Sequence, residues 1–324
     1  MSEVIDAIRN PLLDDQKACD QLIRDNLKSN VELISKIGDH IIHSGGKRLR
    51  PLLVLLSAKA FGYEGNSHIK LAAVIELLHT ATLLHDDVVD HSELRRNQPT
   101  ANKIWGDHAS VLVGDYLYSR AFQLMVDVDQ MRVMEIIAKA SNQMAEGEML
   151  QLLNCHQPDV TEENYMKVIE CKTGTLFAAA AQMGPVLMNA DKKSIENMYY
   201  FGAYLGSAFQ LIDDALDYKG NTKEMGKNMG DDLREGKPTL PFIRALSQVK
   251  DEEAEVLRSA IVAGSAENIE ELIKIIESAD AISYTIDAAK RQALKAREFI
   301  HDLPGSIYKT SLMQLVDFAV ARQF

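Results

Sequence analysis

A chain of 324 residues is long enough for one large domain or two ordinary ones, and a 46% hydrophobic content can fill a sizeable core. The formal net charge of −12 leaves no excess of Lys and Arg to neutralise phosphates at large, which argues against a general nucleic-acid binder. Three cysteines (Cys19, Cys155 and Cys171) without CxxC spacing argue against a disulfide framework and a zinc site.

Along the chain, residues 1–10 carry acidic side chains and no apolar core segment, unlike a signal peptide, and no window approaches about 18 uncharged apolar residues. A soluble cytoplasmic protein is the expectation. Helical periodicity dominates, with no convincing alternating strand run. The pattern predicts helices over about 4–26, 30–43, 48–62, 67–90, 101–126, 130–153, 161–184, 192–219, 239–248, 252–263, 267–277, 279–301 and 306–322. Breakers stand between them at Ser44-Gly45-Gly46, at 61–66, at Asn97-Gln98-Pro99, at Gln157-Pro158-Asp159 and at Lys219-Gly220-Asn221. No long Pro/Gly/Ser linker divides the chain. The expected fold is all-α, a single domain over 1–324 built as a helical bundle with its site between facing helices.

Two acidic pentads dominate the chemistry. Asp86-Asp87-Val88-Val89-Asp90 is echoed by Asp213-Asp214-Ala215-Leu216-Asp217, both D-D-x-x-D at the end of an apolar stretch. On a helix, Asp86 and Asp90 share a face, as do Asp213 and Asp217. Like charges so placed repel, and a multivalent cation relieves the repulsion. An acidic pair on a helix is often only a solvated face. A recurring pair at the end of an apolar helix carries a desolvation cost that points to metal instead. The pattern suggests a chamber holding Mg²⁺ between two walls and gripping a polyphosphate.

A diphosphate also needs cations. Gly45-Gly46-Lys47-Arg48-Leu49-Arg50-Pro51 places three at the entry to a helix, and glycine-freed backbone amides there suit anions. Arg95-Arg96 follows the first pentad; Lys219, Lys227 and Lys237 follow the second; Lys172-Thr173-Gly174 lies between. Each alone reads as surface, but together around two Asp motifs they make a two-anion site. His79, two turns before Asp86, is on nearly the same face and reads equally as a core residue or a phosphate contact. Glu76 and His79 also spell E-x-x-H, a di-iron bundle signature, but the second copy that signature requires is missing.

In these motifs and their order, the chain resembles the trans-isoprenyl diphosphate synthases over nearly its whole length. The segments are GGKRLRP at 45–51, HTATLLHDDVVD at 79–90, RR at 95–96, LVGDYL at 112–117, EGEMLQL at 146–152, KTG at 172–174, FQLIDDALDY at 209–218 and GKNMGDDLREGKPTLP at 226–241. The resemblance implies an all-helical bundle around a deep cavity, two or three Mg²⁺ ions, isopentenyl diphosphate and an allylic diphosphate as substrates, and a homodimer. It implies metal ligation by Asp86, Asp90, Asp213 and Asp217, with Asp87 and Asp214 in support. Arg95, Lys172, Lys227 and Lys237 would hold the allylic diphosphate. Lys47, Arg50, His79 and Arg96 would hold isopentenyl diphosphate, and Thr173 and Gln210 would line the cation site.

Product length is argued from the helix before Asp86. Thr82 and Ala81, four and five residues upstream, are small, and Leu78 lies a further turn below. Short-chain members of the family carry bulky aromatics near here, so an open tunnel implies a long-chain enzyme making a quinone side chain; an octaprenyl-length product, with farnesyl diphosphate as primer, is what the resemblance at 79–90 and 226–241 implies. Met125 and Phe122 are candidates for the tunnel floor, or ordinary core. The alternatives are a shorter-chain synthase, a class I terpene cyclase and a non-catalytic prenyltransferase subunit. The intact second Asp motif argues against the last two. At most transient membrane contact is expected, for product release.

Overall fold

The computed structural model describes residues 2–43, 45–219, 230–265 and 268–321. The helical periodicity becomes helices, and the breakers decide where each ends. The N-terminal stretch forms α1 (Ser2–Arg9), a 3₁₀ turn (Asn10–Leu12) and α2 (Leu13–Leu27), rather than the single helix expected over 4–26. Pro11 causes the break, since it lacks the N–H that a helix interior needs. There follow α3 (Glu32–His43), α4 (Leu49–Ala60) and α5 (Ser67–Val89). Residues 94–99 fold into a hairpin of β1 (Leu94–Arg95) and β2 (Gln98–Pro99), with Leu94 opposite Pro99 and Arg95 opposite Gln98. Strands of two residues are too short to show an alternating pattern, so the sequence reading missed them.

The helix expected over 101–126 is two, α6 (Ala101–Trp105) and α7 (Asp107–Val126), parted by Gly106 at φ +86°. Next come α8 (Met131–Asn154) and α9 (Glu162–Ile169), the latter capped by the Thr161 side chain accepting from Asn164 N. A π-helical turn, Glu170–Gly174, joins α9 to α10 (Thr175–Leu187). Then follows α11 (Lys192–Asp217), capped by Asp191 accepting from Ser194 N at 2.8 Å. Such a cap contributes about 1 kcal/mol. The remaining described helices are α12 (Asp231–Arg234), α13 (Leu240–Leu246), α14 (Asp251–Ala263), α15 (Ile269–Ser278), α16 (Ala281–Phe299) and α17 (Ile307–Val320).

The centre is set by the helices that are apolar on every side. In α5, all residues from Leu71 to Leu78 are buried, and α10 is buried from Thr175 to Val186. Around this pair, α4 and α7 pack on α5, while α4, α8 and α11 pack on α10 and α16 covers α11. Gly202 of α11 allows a close approach to α10, because a Cβ there would stand 2.4 Å from the Phe177 carbonyl oxygen. By length and composition α5 is apolar enough to cross a membrane, yet 67% of its apolar window is buried inside the bundle. It is the core helix onto which the first pentad is built.

Candidate active site

Both pentads line one cavity of about 1340 Å³, the first at the C-terminal end of α5 and the second at the C-terminal end of α11. On α5 the wall is a helical stripe of Glu76, His79, Thr82, Leu83, Asp86 and Asp90. Asp87 stands about 100° round from Asp86 and turns inward, only 1% exposed. There it grips Arg95 in a fork, accepting from Nε at 3.0 and 3.1 Å and from Nη2 at 2.7 Å. Asp87 is therefore a mount for Arg95, which itself reaches the cavity from β1.

Lysines stand directly over the first pentad. Lys172 Nζ lies 2.5 Å from Glu148 and 3.7 Å from Asp86, and Lys237 Nζ lies 2.7 Å from both Asp90 and Glu235. Burial pushes the Asp86 carboxyl up to about 6, in spite of the Lys172 charge, with Glu148 and Asp90 adding to the rise. Burial alone would lower the Lys237 ammonium, but Asp90 and Glu235 outweigh it and raise it. With its amide carbonyl turned toward them, Gln151 accepts from Lys172 at 3.3 Å and from Lys237 at 3.2 Å.

The second wall is organised by hydrogen bonds. Asp213 and Asp217 line the cavity, and Asp217 accepts from the backbone N–H of Asp232 at 3.2 Å. Asp214 also lines the cavity but is nearly buried, accepting from the Tyr165 hydroxyl and from Gln210 Nε2 at 2.8 Å. Burial raises its carboxyl to about 8, with Asp232 pushing the same way and the two donors pulling back. Thr173 Oγ1 donates to Gln210 Oε1 at 3.0 Å, so the chain Thr173–Gln210–Asp214 fixes the Gln210 amide. Lys172 and Thr173 both project from the π-helical turn, a distortion that often serves to aim functional side chains.

Lys47, Arg48, Arg50 and Arg96 form a cationic recess on the same cavity. Arg50 Nη1 lies 3.1 Å from His79 Nε2, its guanidinium stacks 4.6 Å above the Phe177 ring, and its buried Nε has no hydrogen-bond partner. Burial lowers Arg50 to about 10 and holds His79 well below its ordinary value, with Arg50, Arg95 and Arg96 adding to the effect on His79. His79 is thus neutral at pH 7 and accepts from Arg50, which has only donors to offer. Arg96 packs on the turn before α4: a Cβ on Gly46 would meet its Nη1 at 2.5 Å. Lys47 is exposed, 5.3 Å from the Phe318 ring.

The residues present suit a metal that shares its coordination with substrate. Among the described residues, no group of three or more His, Cys, Asp or Glu converges as a ready-made metal cage. Mg²⁺ needs none, since it binds through one or two carboxylates and takes its remaining oxygens from water and phosphate. The ammonium groups beside Asp86 and Asp90 mark where positive charge is favoured.

Of the residues expected from sequence, Lys227 lies outside the described residues. Thr82 lines the cavity, but Leu78, Ala81 and Met125 do not; all three have 0% exposure within the core. The reason is angular. Five residues back from Asp86 is about 140° round the helix, so Ala81 points away from the stripe that Thr82 shares. Phe122 is 38% exposed on α7 and also misses the cavity. The apolar wall comes instead from Tyr118, Met144, Phe177 and Phe209, with Tyr118 stacked nearly parallel on His85. The sequence reading counted Arg48 among the cations of 45–51 without giving it a substrate, and it missed Glu76, Glu148 and Gln151 as site residues. Glu76 was legible from its position one turn before His79, and Glu148 and Gln151 from their place within 146–152.

Two carboxylate walls, lysines over the first of them, an arginine-rich recess and apolar side chains make a cavity suited to substrates that join a diphosphate to a hydrocarbon. A model of the polyprenyl synthetase family matches residues 31–278. The chain is 45% identical to octaprenyl diphosphate synthase of Escherichia coli (strain K12), over 95% of this chain and 96% of that relative. It is 42% identical to the geranyl-diphosphate-specific all-trans-nonaprenyl-diphosphate synthase of Rhodobacter capsulatus, over 96% of each. A crystal structure of polyprenyl synthase from Caulobacter crescentus CB15, complexed with calcium and isoprenyl diphosphate, superposes with a TM-score of 0.95 at 42% identity, covering 98% of both chains. The chain belongs to the polyprenyl synthetase family and is a prenyltransferase.

Proposed function

We propose that this enzyme is a Mg²⁺-dependent long-chain trans-prenyltransferase. It adds isopentenyl diphosphate units to an allylic diphosphate, with farnesyl diphosphate as primer and an octaprenyl diphosphate for a quinone side chain as product. The supporting observation is that one cavity gathers both pentads with two groups of cations, Lys172 and Lys237 beside Asp86 and Asp90, and Arg50 and Arg96 with His79.

Asp86, Asp90, Asp213 and Asp217 would hold the metal, which when bound supplies Lewis-acid neutralisation of the leaving diphosphate. Lys172, Lys237 and Arg95 hold the allylic diphosphate while its C1–O bond breaks. Arg50, Arg96, Lys47 and neutral His79 hold isopentenyl diphosphate so that its double bond meets the allylic carbon. Thr173 and Gln210 present oxygens to the cation, and the released diphosphate takes the proton lost as the new double bond forms. Phe177, Phe209, Met144 and Tyr118 exclude water from the reacting carbons.

Incubation with labelled isopentenyl diphosphate, farnesyl diphosphate and Mg²⁺, followed by chromatography, is expected to give a long polyprenyl product. Chelation should stop its formation. Recovery of farnesyl diphosphate unchanged would refute the reading.

A homodimer goes with this proposal. Leu112, Phe122 and Val126 of α7 and Met131, Leu152 and Leu153 of α8 are exposed apolar side chains that a second copy would cover. Sedimentation should give twice the 36.1 kDa chain mass; a monomer at micromolar concentration would exclude it. A cytoplasmic location, with brief bilayer contact at product release, completes the reading; fractionation of cells would test it.

A further inference from the structure

The turn that opens the cationic recess is held from outside by the two N-terminal helices. Arg9 of α1 donates from Nη2 to the Lys47 carbonyl at 2.7 Å, and Asp20 of α2 accepts from Arg48 Nη1. Both helices precede the 31–278 segment matched by the family. Asp20 does not line the cavity, whereas Arg48 does.

Arg48 is under constraint. Its backbone sits at φ +42°, a left-handed conformation that costs an L-residue about 1–2 kcal/mol. Its Nε stands 3.9 Å from Glu76 Oε1, beyond hydrogen-bond reach. Glu76 is buried at the cavity wall among Arg48, Arg50 and Arg96, and burial pushes its carboxyl up against their pull. An Arg fork carries five N–H groups. With one end tied to Asp20 and Glu76 held at a distance, the rest are left for an anion in the recess.

We infer that Asp20 is a positioning residue for the isopentenyl diphosphate recess: it holds one end of the Arg48 fork so that the guanidinium serves the diphosphate instead of closing on Glu76. This rests on the assignment of the recess given above. The two roles open to such a carboxylate predict opposite signs. A carboxylate that merely tempers local positive charge weakens anion binding, so its removal tightens binding. A positioning carboxylate does the reverse, because the freed Arg48 closes the gap to Glu76 and is lost to the ligand.

Calorimetric titration of isopentenyl diphosphate into wild type, Asp20→Asn, Arg48→Ala and the double variant decides between them. Farnesyl diphosphate with Mg²⁺ is titrated in parallel. Asp20→Asn and Arg48→Ala should each weaken isopentenyl diphosphate binding about tenfold, the worth of one charge-assisted hydrogen bond. The double variant should bind no more weakly than Arg48→Ala, Asp20→Glu should recover part of the loss, and farnesyl diphosphate affinity should stay within about twofold. Unchanged or tighter binding by Asp20→Asn, additive losses in the double variant, or equal loss for both ligands would overturn the inference. A wild type that binds no isopentenyl diphosphate would instead overturn the assignment of the recess, so the two failures are distinguishable.

Discussion

Replacing Asp213 with alanine should lower the rate of prenyl transfer about 10³-fold or more. Asp213 lines the cavity from α11, opposite Asp86 and Asp90 on α5. Metal clamping of a leaving group supplies several kcal/mol to the transition state, and each 1.36 kcal/mol is tenfold in rate. The loss should appear in kcat, since the cationic recess for the second substrate is untouched, and the affinity for isopentenyl diphosphate should change little. Asp86→Ala should cost as much, and the double variant little more than either, because one wall without the other cannot hold a bridging ion. The check is single-turnover kinetics at saturating Mg²⁺, with circular dichroism to confirm the fold. A variant turning over within tenfold of wild type would remove Asp213 from the metal site.

Thr82→Tyr should convert a long-chain enzyme into a short-chain one. Thr82 is on the cavity stripe, about 6 Å along α5 from Asp86 by the helical rise. A tyrosine ring there projects across the path that a growing tail takes away from the diphosphate end. The first condensation should stay within about tenfold of wild type, since neither pentad nor any lysine is altered. Later condensations should fail for want of room, so chromatography should show the product distribution collapse to one or two additions. An unchanged distribution would place the path elsewhere, along the Met144 and Tyr118 side of the cavity. Ala81 is the poorer target. It has 0% exposure, so a ring there acts only by displacing its neighbours.

The contrast between Thr82 and Ala81 shows how far sequence carries in a helical protein. Distance along a helix is fixed by counting, and so the pentads and His79, which line the cavity, were legible. Angle round the helix is equally fixed, but which angle faces the cavity is a property of the packed bundle. Counting residues upstream of Asp86 therefore offers Thr82, Ala81 and Leu78, of which only Thr82 lines the cavity. The same geometry turns Asp87 off the cavity wall onto Arg95, whereas Asp214 stays on the wall, tied to Tyr165 and Gln210. Lys172 and Lys237 could be grouped near the aspartates by family resemblance, but not the pairing of Lys172 with Glu148 and Gln151, which depends on α8 passing beside the π-helical turn. The Asp20–Arg48 contact spans 28 positions and two separate helices, and no local pattern announces it.

The π-helical turn at Glu170–Gly174 solves a problem of phase. Before it, Tyr165, Val168 and Ile169 present one side of the rod to the cavity; after it, α10 has to be immersed on every side. A wider turn changes the angular bookkeeping at that point, so the two stretches need not share one helical clock. Lys172 and Thr173 sit on the hand that is reset. Loss of a single residue from this turn would leave every side chain of the site present in the chain, yet rotate the lysine and threonine out of step with the aspartates they serve.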